Sequence, residues 1–119
     1  MRIWIRTALL AAGLALAAAA PARAAGFLTG HEDLPLLAGL TQDRDSVMVF
    51  DTPQGRVVET FAQTPQSAAA VLAAYAETLP QLGWSKKTSA KFVRDGETLT
   101  FEVVSKGPPT VIRILITSD

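Results

Sequence analysis

Residues 64–83 read TPQSAAAVLAAYAETLPQLG, and this stretch decides the fold because it is the clearest helix in the chain. Alanine is the best helix former. Thr64 predicts an N-cap, followed by Pro65 in the first helical position. Pro80 must end or kink the helix, and Gly83 suits the turn after it. Large apolar side chains recur at three- and four-residue spacing and form one stripe: Val71, Leu72, Tyr75, Leu79 and Leu82.

Apolar and β-branched segments on both sides of the helix predict strands. Residues 46–51 (SVMVFD) and 56–62 (RVVETFA) flank a Pro- and Gly-containing turn and predict a hairpin. Three or four strands follow the helix, giving the order ββαββββ. A single amphipathic helix packs across one face of an antiparallel sheet. The sequence therefore predicts an α+β domain over residues 46–119, with five or six antiparallel strands.

Residues 25–45 lack a clean period but hold four leucines between positions 34 and 40. Leaving these side chains in water would be costly. We therefore expect an ordered N-terminal arm that lies along the edge or the back of the sheet.

Residues 1–24 have the three regions of a cleavable secretory signal. Arg2 and Arg6 precede an apolar run over residues 7–20, and Ala22-Arg23-Ala24 supplies small residues for cleavage after Ala24. The run is shorter than the roughly 20 residues of a membrane span, although an uncleaved anchor is the alternative. The pattern predicts Sec-type export to the periplasm, with release from the cell as a second outcome, and no integral membrane segment after cleavage.

Charge and cysteine content exclude several functions. Without residues 1–24 the chain keeps eight basic and 11 acidic residues, a net charge of −3. Binding of nucleic acid needs clustered Lys and Arg, so this composition predicts no nucleic-acid partner. The sequence has no cysteine, which excludes disulfides, thiol catalysis and a lipidated cysteine.

Three segments carry a resemblance to known proteins: HEDLPLLAGL (31–40), VFDTPQGRVVE (49–59) and AAYAETLPQLGW (73–84). In this order they resemble a family of small exported proteobacterial proteins without an assigned activity. The helix running into LPQLGW, followed by strands, also resembles the sheet-and-helix modules of envelope lipoproteins, although this chain lacks their lipidated cysteine. The resemblance implies a fold and an envelope location, but no chemistry.

No motif predicts a catalytic, cofactor-binding or metal site. His31 is the only histidine, whereas a zinc site or a catalytic triad needs several converging groups. Asp43, Asp45 and Asp51 lack the glycine and the distal Glu of a calcium loop. Glu59 and Glu102 are candidates for a carboxylate pair, but threonine neighbours indicate a wet surface.

The last strand has apolar residues on both faces. If Ile112, Ile114 and Ile116 face the helix, Val111 and Leu115 lie on the other face around Arg113, where Val104 joins them. A one-sided sheet should be polar there. We expect the arm to cover this face. The alternative is an exposed patch that binds a partner, at this face or at the edge left by the last strand.

The sequence predicts a non-catalytic protein, without a cofactor, that acts as an interaction or assembly-accessory module of the cell envelope. Its partner would be another envelope protein, bound through the candidate face of Val104, Val111, Arg113 and Leu115. Two alternatives stay open. One is a small carrier of an apolar ligand or lipid held between helix and sheet, and the other is an enzyme or an enzyme inhibitor. Trp84 is expected to pin the end of the helix on the sheet, or else to border a ligand groove.

Overall fold

The computed structural model describes residues 26–119, so the predicted signal peptide, residues 1–24, lies outside the described chain. Four strands precede the α-helix and four follow it, which extends the predicted order ββαββββ by two short strands at the start. The elements are β1 (Phe27–Leu28), β2 (His31–Pro35), β3 (Thr41–Thr52), β4 (Gly55–Thr64), α1 (Ala68–Thr78), β5 (Ser85–Thr88), β6 (Lys91–Arg94), β7 (Glu97–Ser105) and β8 (Thr110–Ser118).

The main sheet has six antiparallel strands in the order β3-β4-β8-β7-β6-β5, and β1 and β2 form a separate small sheet. This confirms the predicted α+β class with one helix and six strands. The predicted free edge at the last strand is wrong, because β8 lies between β4 and β7 and pairs with both. The edges of the main sheet are β3 and β5.

The core lies between the main sheet and the layer that contains α1. Alternation places Ile112, Ile114 and Ile116 of β8 in this core, as predicted, and they are almost fully buried. The rings of Tyr75 on α1 and Phe101 on β7 pack with centroids 4.6 Å apart. We call the sheet face toward α1 the front face and the opposite one the back face.

The helix begins later than the sequence predicts. Its N-cap is Ser67, whose side chain accepts a hydrogen bond from the backbone N–H of Ala70. Thr64 is not the cap, because it still belongs to β4, where it pairs with Thr110 and donates its hydroxyl to Ala38 O. The end of the helix is as predicted: a 3₁₀ turn, Leu79–Leu82, contains Pro80 and stops at a left-handed Gly83.

The N-terminal arm is ordered but does not lie where the sequence predicts. Its leucines are buried in the same core as the helix, and the hydroxyl of Tyr75 donates a hydrogen bond to Pro35 O at 2.6 Å. Gly30 lies against the side chain of Val58, a buried front-face residue of β4. The prediction that the arm covers the back face is therefore wrong. An 11-residue helix is too short to cover a six-stranded sheet, and the arm completes that layer.

Candidate functional site

The back face is built by the residues that alternate with the buried front-face positions. Val57, Glu59 and Phe61 of β4 take these positions, and the register with β8 places them beside Thr117, Leu115 and Arg113. Residues directly opposite each other on neighbouring strands have side chains on the same face. The pairing of β3 with β4 therefore adds Met48 and Phe50 to the back face.

The apolar residues of the back face lie mainly on one side. The strands β6 and β7 carry chiefly hydroxyl and charged groups there, among them Lys91, Thr98, Thr100 and Glu102. The strands β3, β4 and β8 carry large apolar side chains, which define what we call the apolar half: Met48, Phe50, Val57, Phe61, Val111 and Leu115. Met48 and Phe50 are 55% and 45% exposed, and the other four are half-buried.

Val104 extends the apolar half onto β7. The register of β7 with β8 shifts between Val103 and Ser105, so that Val104 is the additional residue of a bulge beside Val111. Its side chain is 53% exposed. A bulge re-aims side chains at the edge of regular pairing, and here it leaves a branched apolar residue in solvent.

Arg113 stands in the middle of the back face between two carboxylates. Its Nε donates to Glu59 Oε2 at 2.6 Å, and its Nη1 donates to Glu102 Oε1 at 3.1 Å. The hydrogen bonds to Glu59, and next those to Glu102, raise the pKa of the guanidinium above its ordinary value. Because two carboxylates already engage its donors, Arg113 is not a free anchor for a carboxylate or a lipid head group. The three side chains together carry a net charge of −1.

A shallow groove of about 330 Å³ opens at one end of the apolar half. Phe61 and Val111 supply its large apolar side chains, and Asp43 adds a carboxylate. The other residues around it are Thr41, Gln42, Ala62 and Gln63. An apolar floor with an acidic rim suits an apolar side chain of a partner with a basic group beside it.

The structure brings together the four residues that the sequence selected. Val111, Arg113 and Leu115 project from β8 onto the back face, and Val104 lies beside Val111. Arg113 pairs with both Glu102 and Glu59, and the sequence did not indicate Glu59 as a partner. The contribution of β3 and β4 was not predicted, although the alternation in RVVETFA (56–62) places Val57, Glu59 and Phe61 of β4 on one face.

Four of the carboxylates considered above as catalytic or metal-binding candidates have a hydrogen-bond or ion-pair partner: Asp43, Asp51, Glu59 and Glu102. Glu59 and Glu102 bind Arg113 rather than one another. Asp43 accepts a hydrogen bond from the N–H of Asp45 in a local turn, and Asp51 pairs with Arg56. Among residues 26–119 no three His, Cys, Asp or Glu side chains lie close enough to hold a metal ion.

His31 belongs to a cluster that fastens the arm to the sheet. Its Nε2 lies 3.0 Å from Glu97 Oε2, and Glu97 Oε1 accepts a hydrogen bond from Arg94. Arg94 also pairs with Asp33 of the arm and stacks 4.5 Å above the ring of Trp84. Trp84 is buried at the end of the helical segment, as predicted, so these contacts give His31 a structural role.

The space between helix and sheet is filled by aromatic and aliphatic side chains, including Phe92 and Leu99, which are fully buried. An internal apolar ligand therefore has no structural observation in its favour. No helix within residues 26–119 has the length and apolar character needed to cross a bilayer. Comparison of the chain with protein-family models, curated proteins and solved structures gave no match.

Proposed function

We propose that this protein is a non-catalytic interaction or assembly-accessory module of the cell envelope that binds a partner protein through the apolar half of its back face. The observation that carries the proposal is the exposure of that half. Exposed apolar side chains grouped on one face, with polar residues around them, commonly mark interaction sites. The arm, which would have sealed such a patch, packs on the front face instead.

The location in the envelope is part of the proposal and rests on the sequence of residues 1–24. A basic start, a 14-residue apolar run and an Ala-x-Ala site are typical of exported proteins. The acidic balance of the remaining chain supports a protein partner rather than nucleic acid. We place the partner in the periplasm, where the exported chain would meet it.

The chemistry of the surface indicates what the partner offers. Its core would be one or two large apolar side chains, seated against Phe61, Val111 and Leu115. Its charged part would be basic, because Asp43 lies at one end of the apolar half and the net negative group around Arg113 lies between its apolar side chains. Complementary charges at a rim mainly speed association and select the partner.

Photo-crosslinking in living cells tests this proposal. A photoreactive amino acid is placed at Val111 or Leu115, and crosslinked products are identified by mass spectrometry. The same photoreactive amino acid at Thr98, which lies on the back face among the hydroxyl and charged side chains of β6 and β7, is the matched control. We expect one abundant partner from the first two positions and not from the third. Equal labelling of many proteins from all three positions would contradict the proposal.

Substitutions then test whether the apolar half provides the affinity. Val104→Asp is the variant of choice, because the exposed bulge position should tolerate it without loss of the fold. We expect it to reduce the yield of the crosslinked partner from Val111 at least about tenfold, since an unpaired charge is costly to bury in an interface. Thr98→Asp should leave that yield unchanged. An unaltered yield with Val104→Asp would exclude this face.

A further inference from the structure

Within residues 26–119, the strand β3 has backbone groups without a partner along one edge of the main sheet. It ends in a two-residue turn, which makes Thr52 and Gly55 a hydrogen-bonded pair. Hydrogen-bonded and non-hydrogen-bonded pairs alternate along an antiparallel ladder, so Phe50 bonds to Val57. The N–H and C=O groups of Val49 and Asp51 therefore point away from β4.

An independent bond supports the same alternation from the other side of the sheet. The N–H of Asp119 donates to Gly96 O at 3.0 Å, which makes the pair of Thr98 and Thr117, two residues further along, hydrogen-bonded between β7 and β8. Thr117 then directs no backbone bond to Val57, and Val57 is free to bond with Phe50. The hairpin turn and the Asp119–Gly96 hydrogen bond therefore agree that the backbone N–H and C=O groups of Val49 point away from β4.

The side chains at this edge are apolar and exposed on both faces. Met48 and Phe50 are 55% and 45% exposed on the back face, and Val49 is 49% exposed on the front face. A long edge strand of this kind is a template for pairing with another strand. Pairing would cover three of the most exposed large apolar side chains of the described chain in one step.

We propose that the strand added at this edge is β3 of a second copy, paired antiparallel about a two-fold axis at Val49. Val49 would then exchange two backbone hydrogen bonds with Val49 of the partner subunit. On the back face Met48 would lie opposite the partner's Phe50, and Phe50 opposite the partner's Met48. Thioether and aromatic groups attract each other, so the edge is complementary to itself.

Charge and backbone direction select this register. An axis at Met48 would place Asp45 opposite Asp51 of the partner subunit twice, and like charges directly opposite are destabilising. It would also centre the pairing on a residue whose backbone groups already face β4. The axis at Val49 places Asp51 opposite the partner's Val47 instead.

The pairing uses Met48 and Phe50 at the outer edge of the apolar half and leaves Val104, Val111 and Leu115 uncovered, so it can fail without the proposed function failing. It would join two main sheets into one and bring the apolar halves of both copies to the same side. A partner protein would then meet a doubled surface.

Sedimentation of protein purified from cells that express the full chain tests the dimer. We expect the wild type to form dimers, and both Val49→Lys and Val49→Asp to weaken dimerisation at least about tenfold by placing like charges opposite each other. Mixing the two variants should restore dimerisation, because Lys then meets Asp across the axis. Leu82→Lys, at an exposed site outside the sheet, is the control and should stay dimeric.

The outcomes separate this proposal from the proposed function. A monomeric wild type at high micromolar concentration overturns the dimer. So does a dimer that survives Val49→Lys and Val49→Asp, and a dimer lost with Leu115→Asp but not with Val49→Lys would place self-association on the back face. Failure of the mixture to recover overturns the two-fold axis at Val49. None of these results changes the crosslinking expected from Val111.

Discussion

The hydroxyl of Tyr75 joins the helix to the N-terminal arm through two backbone groups. It donates to Pro35 O at 2.6 Å and accepts a hydrogen bond from the N–H of Leu37 at 3.2 Å. All three residues are buried. These bonds hold the arm on the front face, and the arm therefore does not cover the back face.

Replacing Tyr75 with Phe should destabilise the fold by about 1–3 kcal/mol, because two buried backbone groups lose their partner while the ring stays in place. Urea unfolding followed by circular dichroism measures this change. Ser67→Ala, which removes the helix cap at an exposed site, provides a reference of about 1 kcal/mol on the same helix. A Tyr75→Phe variant as stable as the wild type would mean that water replaces the hydroxyl.

The same burial predicts a loss of stability at high pH. Desolvation raises the pKa of Tyr75 well above its ordinary value near 10, and the bond from Leu37 opposes this only in part. The unfolded chain therefore loses the phenol proton first. The contribution of the protonated Tyr75 to the free energy of unfolding is fully present below pH 10 and declines by about 1.4 kcal/mol per pH unit above it.

Tyr75 is the only tyrosine, so its ionisation is directly visible in ultraviolet difference absorbance. We expect tyrosinate to appear only together with unfolding, and the alkaline slope to be smaller in Tyr75→Phe. The lysines titrate in both proteins, so the difference between the two alkaline slopes isolates the effect of Tyr75. Tyrosinate absorbance near pH 10 in a chain that is still folded would contradict the burial of the hydroxyl.

The fold class followed from local signals, whereas the placement of the arm and of β8 did not. Pro80 and Gly83 mark the end of the helix whatever lies around them. The arm is positioned by Tyr75, which is 40 residues away from Pro35. The residues near Pro35 in the sequence do not indicate that contact. Central and edge strands can also share the same alternation, so the pattern of β8 did not reveal its two neighbours.

The candidate face was predictable along one strand and not across the sheet. Val111 and Leu115 follow from the alternation of β8 alone. Met48 and Phe50 do not, because residues 47–50 are apolar on both faces, and only the pairing with Glu59 and Val57 shows which of them lie on the back face. Glu59 was missed as a partner of Arg113 for the same reason, since that contact requires the pairing of β4 with β8.

Loss of the Glu97 carboxylate should loosen the arm without unfolding the sheet. Glu97→Ala removes the contacts with His31 and Arg94, and one such bond contributes about 1 kcal/mol. We expect roughly fivefold faster hydrogen exchange in β1 and β2, with β7 and β8 unchanged. Glu102→Ala, which removes a carboxylate from the back face, is the control and should leave the arm protected. Equal exchange of the arm in both variants would show that its leucines alone hold it.

The two carboxylates around Arg113 should contribute unequally. Glu59 has a side chain 20% exposed and the shorter contact, whereas the side chain of Glu102 is 60% exposed. Solvent weakens an exposed ion pair, so double-mutant cycles should give Arg113 a larger coupling energy with Glu59 than with Glu102. The cycles combine Arg113→Gln with Glu59→Gln or Glu102→Gln, measured by urea unfolding at low and at high salt. Salt should reduce the coupling with Glu102 more strongly, and equal couplings in both cycles would mean that Glu59 is as open to solvent as Glu102.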